Sequence, residues 1–232
     1  MAMNPRLLKP RATGFDPRSV SGLALWLDAA DSSTITLSAG VSEWRTRVAG
    51  STIKATQAAG NNQPAYQTTQ QNGKNALYFD GTNDSLNLGD LSATFPTAAT
   101  LLAAFRPDSD TEYALIRTSN NSAFWAYPTA RTYIGTFKGT RLNNVASATM
   151  PTNANSVVSI TSSASAYRVY VNNAIAHDVA ADYLAGTSHV IGSNDLGTFY
   201  KGWVYELIYY SRELSASELT RAYRYIRGKW GI

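Results

Sequence analysis

Residues 200–232, YKGWVYELIYYSRELSASELTRAYRYIRGKWGI, spell one strand, one turn and one capped helix. From Gly202 onward Trp203, Tyr205, Leu207 and Tyr209 alternate with Val204, Glu206, Ile208 and Tyr210, the two-residue period of a strand. Both sets are largely apolar or aromatic, so the strand is expected at the centre of a sheet. After Ser211-Arg212-Glu213 comes a capping box, with Ser215 as N-cap and Glu218 at N3, flanked by Leu214 and Leu219 at the staple positions. A helix is therefore predicted from Ala216. Leu219, Ala222, Tyr223, Ile226 and Trp230 recur at helical spacing, Arg224, Arg227 and Lys229 crowd the last turn, and Gly228 is read as the C-terminal break.

Upstream, the text is strand and turn. Leu23–Leu27, Val41–Arg45, Asn75–Phe79, Ser85–Gly89, Thr100–Arg106, Ala114–Thr118, Ala123–Tyr127, Thr132–Phe137, Ser156–Thr161, Ala166–Val171 and Ser188–Ile191 are predicted strands. Asn172-Asn173 reads as a two-residue hairpin turn, because Asn tolerates positive φ. Residues 49–75, rich in Gln, Asn, Ala and Thr, are expected to be loops. No fixed-period repeat points to a solenoid or propeller. Many short strands in 232 residues imply an all-β, two-sheet sandwich. Residues 1–21 are expected to be an extended N-terminal arm, 22–214 the sandwich, and 215–232 a helix and tail packed on it.

The arm holds Pro5, Pro10 and Pro17, which remove backbone donors and disfavour helix. Its Leu7, Leu8 and Phe15 pack either on the same chain or on a neighbouring subunit. Residues 1–20 carry Arg6, Lys9, Arg11 and Arg18 against Asp16, a net +3, and residues 211–232 carry five basic groups against two acidic, again +3; the middle is mildly acidic. Basic ends on such a body suit an acidic protein surface rather than a nucleic-acid groove. The attachment candidates are thus Arg6, Leu7, Leu8, Lys9, Arg11, Phe15 and Arg18. No apolar stretch approaches the ~18 residues of a membrane helix, and residues 1–14 lack the apolar core of a secretion signal. With no cysteine there are no disulfides, thiolate metal sites or thiol nucleophiles.

NALYFDGTNDSLNLG (75–89), AYRVYVNNAIA (166–176) and HVIGSNDLGTFYKGWVYELIYYSRELSASEL (189–219) resemble phrases of the laminin-G-like, concanavalin-A-like jelly roll. The resemblance covers roughly residues 75–220. It departs from the family at Asn173, where a hairpin Gly is usual, and at Asn155–Val158, where Trp-His is usual. A narrower resemblance is to structural proteins of tailed bacteriophages, carried by Asn4–Ala12, Gly22–Asp31, Val41–Arg45 and Lys229–Ile232. It implies a protein made in the bacterial host cytoplasm and carried on the virion exterior. Its partners would be other virion proteins such as the major capsid protein, with homo-oligomers on the particle, a possible host glycan, and neither nucleic acid nor membrane.

Inventory argues against catalysis. His177 and His189 lack a serine elbow or metal spacing, and the five Glu residues form no hydrolase pair; Glu206 is expected to pair with an Arg. No cofactor is expected, calcium apart, for which Asp80, Asn83 and Asp84 are oxygen donors, the competing reading being an Asx turn. Trp125, Tyr127, Tyr133 and Tyr200 are candidates for stacking on sugars, the competing reading being core or subunit contact. The sequence thus points to a non-enzymatic virion protein, foremost capsid decoration or cement. The alternative is a tail or fibre adhesin for host glycans, with a polysaccharide hydrolase third.

Overall fold

The computed structural model describes residues 14–94, 98–108, 113–118, 123–127, 133–135, 153–179, 188–193 and 197–232. These form two antiparallel eight-stranded sheets and a C-terminal helix, so the all-β sandwich reading holds. The first sheet runs β14 (Ala174–Val179), β13 (Tyr167–Val171), β12 (Ser156–Ser162), β8 (Ala99–Pro107), β16 (Lys201–Tyr210), β6 (Lys74–Asp80), β5 (Ala65–Gln71). Off this path β1 (Leu23–Asp28) pairs with the far half of β16. The second runs β11 (Tyr133–Gly135), β10 (Ala123–Tyr127), β9 (Tyr113–Thr118), β15 (His189–Ile191), β7 (Leu86–Gly89), β4 (Lys54–Thr56), β3 (Val41–Arg45), β2 (Ile35–Leu37).

Strand β16 is central, bonded to β8 on one side and to β6 and then β1 on the other. Its alternation is broken, however. Trp203 stands opposite Arg106 and Glu206 opposite Ala104, with a register shift between Val204 and Glu206, so one extra residue is inserted at Tyr205. The bulge inverts the phase: Trp203 shares a face with Glu206, Ile208 and Tyr210, while Val204, Leu207 and Tyr209 point the other way. The inward set continues across the sheet as Phe105, Ala103 and Leu101 on β8 and Leu77 and Phe79 on β6, all fully buried. Phe79 closes on Gly192 after β15, which marks this as the face turned to the second sheet.

The helix α1 (Ala216–Trp230) lies on the outer face of the first sheet. Its cap forms as the sequence dictates: Ser215 Oγ accepts from the Glu218 N–H, and Glu218 Oε2 accepts from the Ser215 N–H at 2.9 Å. Burying Leu219 and Ile226 stabilises the packing by about 1.5–3 kcal/mol each. Gly228 does not end the helix. It continues to Trp230, and Gly231 (φ 67°, ψ 39°) supplies the left-handed cap with its N–H on the Arg227 carbonyl. The last carbonyls are taken by the β5–β6 turn, where Gln71 Nε2 donates to Trp230 O at 2.7 Å and Asn72 Nδ2 to Lys229 O at 2.9 Å.

The Asn172-Asn173 turn has φ of 49° and 69°, as predicted. Residues 49–75 are not all loop, since they contain β4 and β5, and β2 was not anticipated. Edge strands such as β5 bury little, so their polar sequences carry no apolar alternation to read.

Candidate functional site

The outer face of the first sheet divides at Tyr205. On one side α1 covers it; on the other, beyond the helix, its side chains are half-buried. In this second part Tyr78 on β6, Trp203 on β16 and Arg106 on β8 form one in-register row. Asp80 pairs with Lys201 one step further, and the Asp108 N–H donates to the Lys201 carbonyl at 2.9 Å. The Tyr78 and Trp203 ring centroids are 4.8 Å apart at 54°. Trp203 Nε1 donates to Asp108 Oδ2 at 3.1 Å, and Arg106 Nε donates to Asp108 Oδ1 at 2.9 Å. Indole, guanidinium and carboxylate therefore hold one another, with the Arg106 side chain still 33% exposed. Burial, helped by the charges of Asp108 and Asp80, raises the Tyr78 phenol above its ordinary value, so it stays a neutral hydroxyl.

Gly202 makes this arrangement possible. Its φ of 144° suits glycine, and a Cβ there would collide with the Arg106 carbonyl and the Tyr200 hydroxyl. The result is two half-buried aromatic rings on a rigid sheet, edged by polar groups. Such a surface can stack on the C–H face of a sugar and hydrogen-bond its hydroxyls.

Beneath α1 lies a different cluster. Glu206 is fully buried; its Oε1 accepts from Trp26 Nε1 (2.6 Å), Tyr225 Oη (3.0 Å) and Lys229 Nζ (3.0 Å), and its Oε2 from Trp230 Nε1 (2.7 Å). Lys229 Nζ also reaches Asp28 Oδ1 at 2.6 Å, and Arg47 bridges Asp28 Oδ2 at 2.7 Å and Asp31 at 2.9 Å. Desolvation raises the Glu206 carboxyl, with Asp28 adding to the rise and Lys229 opposing it. Its ionic partner is thus a lysine, not the expected arginine. Enclosed by two indoles, a phenol and the helix, Glu206 does not reach a polymeric substrate, and the cluster acts as a clasp joining β1, β16 and α1.

The residues singled out in the sequence fall into four groups. Arg6, Leu7, Leu8, Lys9 and Arg11 lie outside the described residues, as do the side chains of Trp125, Tyr127 and Tyr133 on β10 and β11 and that of His177. Phe15 packs within its own chain, against Tyr225 at 5.7 Å under Arg221, and Arg18, its side chain 59% exposed, pairs with Asp16 at 2.6 Å. Tyr200 is corrected outright. It is fully buried between Phe79 and Phe105, and its hydroxyl donates to the Arg106 carbonyl at 2.8 Å, so it offers no face to a sugar.

Asp80, Asn83 and Asp84 form the Asx-type turn. Asp80 Oδ1 accepts from the Thr82 N–H at 2.7 Å and Asp84 Oδ2 from the Asp80 N–H at 2.9 Å. Among the described residues no group of three His, Cys, Asp or Glu is placed to hold a metal. Sequence reasoning missed Tyr78, Arg106, Asp108, Lys201 and Trp203, whose adjacency exists only once three strands are in register.

No family model matches the chain, and no curated protein matches it. Solved structures do. Domain 4 of AbnA, a GH43 extracellular arabinanase from Geobacillus stearothermophilus in complex with arabinotriose, is similar with a TM-score of 0.54 at 16% identity, over 68% of this chain and 80% of that one. The Trypanosoma rangeli sialidase in complex with sialic acid is similar with a TM-score of 0.60 at 16% identity, over 88% of this chain but 33% of that one. This chain thus spans about a third of the sialidase. At these identities the likeness is one of fold, a β-sandwich. It nonetheless corrects one expectation: the fold belongs to parts of glycoside hydrolases, so the exclusion of an enzyme from the residue inventory does not stand.

Proposed function

We propose that this chain is a glycan-recognising β-sandwich module carried on the exterior of a tailed-phage virion. The observation that carries the reading is the half-buried Tyr78–Trp203–Arg106 row, a fixed aromatic surface edged by Asp80, Asp108 and Lys201. The arabinotriose bound to domain 4 of the arabinanase supports a saccharide as ligand class. The virion setting is supported by the phage-like phrases at both ends of the sequence. Phe15 packs on α1 against Tyr225, so the described chain enters the sandwich at the helix, and the leader that precedes it is the segment proposed to attach to the major capsid protein or another virion protein.

Intact protein on a glycan array tests the first part. Trp203→Ala is expected to weaken binding about 10-fold or more in a variant that circular dichroism shows to be folded, if less stable than wild type. Binding unchanged by Trp203→Ala would overturn the site. Deleting residues 1–13 tests the second: particle occupancy falls and glycan binding remains. The cut belongs there because residues 14–19 are part of the fold. Unchanged occupancy would refute attachment through the leader.

A further inference from the structure

We infer that the Trp203 row takes a neutral glycan, one sugar unit on the aromatic corner, rather than a sialylated or uronate-bearing one. This rests on the reading of that row as a sugar site and adds its ligand class. Recognition of a sugar carboxylate draws on a guanidinium fork free to bond both of its oxygens. Arg106 is not free: Nε and Nη2 both donate to Asp108, at 2.9 and 3.4 Å, and Asp108 in turn holds the Trp203 indole. Giving Arg106 to a ligand carboxylate would release the carboxylate that fixes the ring.

The second cation, Lys201, stands in register with Asp80, and its stem lies over Gly81. Among the described residues that edge the row, two cations thus face two carboxylates, and these four charges leave no positive surplus with which to attract an anion. Asp80 is exposed, and its Oδ1 is occupied by the turn N–H groups. Its outward charge accepts from sugar hydroxyls and repels a sugar carboxylate. The 54° tilt of Tyr78 on Trp203 makes a corner rather than a flat floor, with room to stack one ring.

The test uses the intact chain on an array of paired glycans that share a neutral core and differ by a terminal sialic acid or uronate. Neutral members are expected to bind at least roughly 10-fold more tightly than their acidic partners, with Trp203→Ala abolishing the signal. Far-ultraviolet circular dichroism of Trp203→Ala against wild type serves as the check that the variant is folded. Acidic members binding as well as or better than neutral ones, in a manner lost with Trp203→Ala, would overturn the ligand class and leave the site. Binding to neither class, or binding indifferent to Trp203, would overturn the site itself.

Discussion

The two ends of α1 each rest on a glutamate, and the two glutamates behave oppositely. At the N-terminal end Glu218 stands near solvent, bonded by Arg212 at 2.6 Å and by the Ser215 backbone and hydroxyl; Arg212 first, then that backbone N–H, hold its carboxyl down at about 2. At the C-terminal end Glu206 has more partners, two indoles, a phenol and an ammonium, yet its carboxyl is raised. The difference is desolvation. Complete burial penalises the Glu206 charge more than its partners repay, whereas water still helps to solvate Glu218. Partner counts therefore do not rank the two contacts. The first closes a local turn, and the second ties together strands some 180 residues apart in sequence.

The largest effect is expected on removing the clasp's cation. Lys229→Met leaves Glu206 and the buried Asp28 facing each other on adjacent strands without their shared ammonium. Stripping one partner from a buried ionic group costs about 3–5 kcal/mol, to be read from urea unfolding. Adding Glu206→Gln to Lys229→Met should recover part of that loss, since the uncompensated charge is gone. No recovery would mean that the clasp acts through packing of the lysine stem alone.

A smaller effect is expected at the other end. Ser215→Ala removes the oxygen that accepts the Glu218 N–H and should cost about 1 kcal/mol in the same measurement. A loss as large as that of Lys229→Met would erase the contrast between the two ends.

That contrast also marks what the sequence disclosed. The cap is local: Ser215 and Glu218 are three residues apart, and the backbone geometry of any helix start brings them together. The strand content, the hairpin at Asn172-Asn173 and the centrality of β16 were legible for the same reason, being properties of neighbouring residues. The clasp and the aromatic row were not. Trp26, Glu206 and Lys229, or Tyr78, Arg106 and Trp203, meet through sheet register, which no window of residues encodes. The Tyr205 bulge hid itself in a strand that is apolar or aromatic on both faces, so shifting the phase by one residue left the pattern looking equally good. Tyr200 misled for a related reason, since an aromatic side chain serves core and surface alike and only the packing decides.

Acid titration gives the smallest and most discriminating effect. For Glu218 the folded carboxyl lies at about 2 against an ordinary 4.5, so between those values the unfolded chain binds the more protons. Its contribution is fully present above about 4.5 and is lost as pH falls toward 2. Glu206 has the opposite sign, because its folded carboxyl is raised from 4.5. It favours the folded state below that ordinary value and loses this contribution as pH rises through its folded value. Thermal midpoints followed from pH 7 to about 2 should therefore respond differently to two substitutions. Arg212→Gln releases the Glu218 carboxyl toward its ordinary range and should flatten the acid-side decline. Glu206→Gln removes a group that gains on acidification and should steepen the net decline. Parallel shifts in both variants would show that burial does not separate the two glutamates, and the distinction between the solvated cap and the buried clasp would fail.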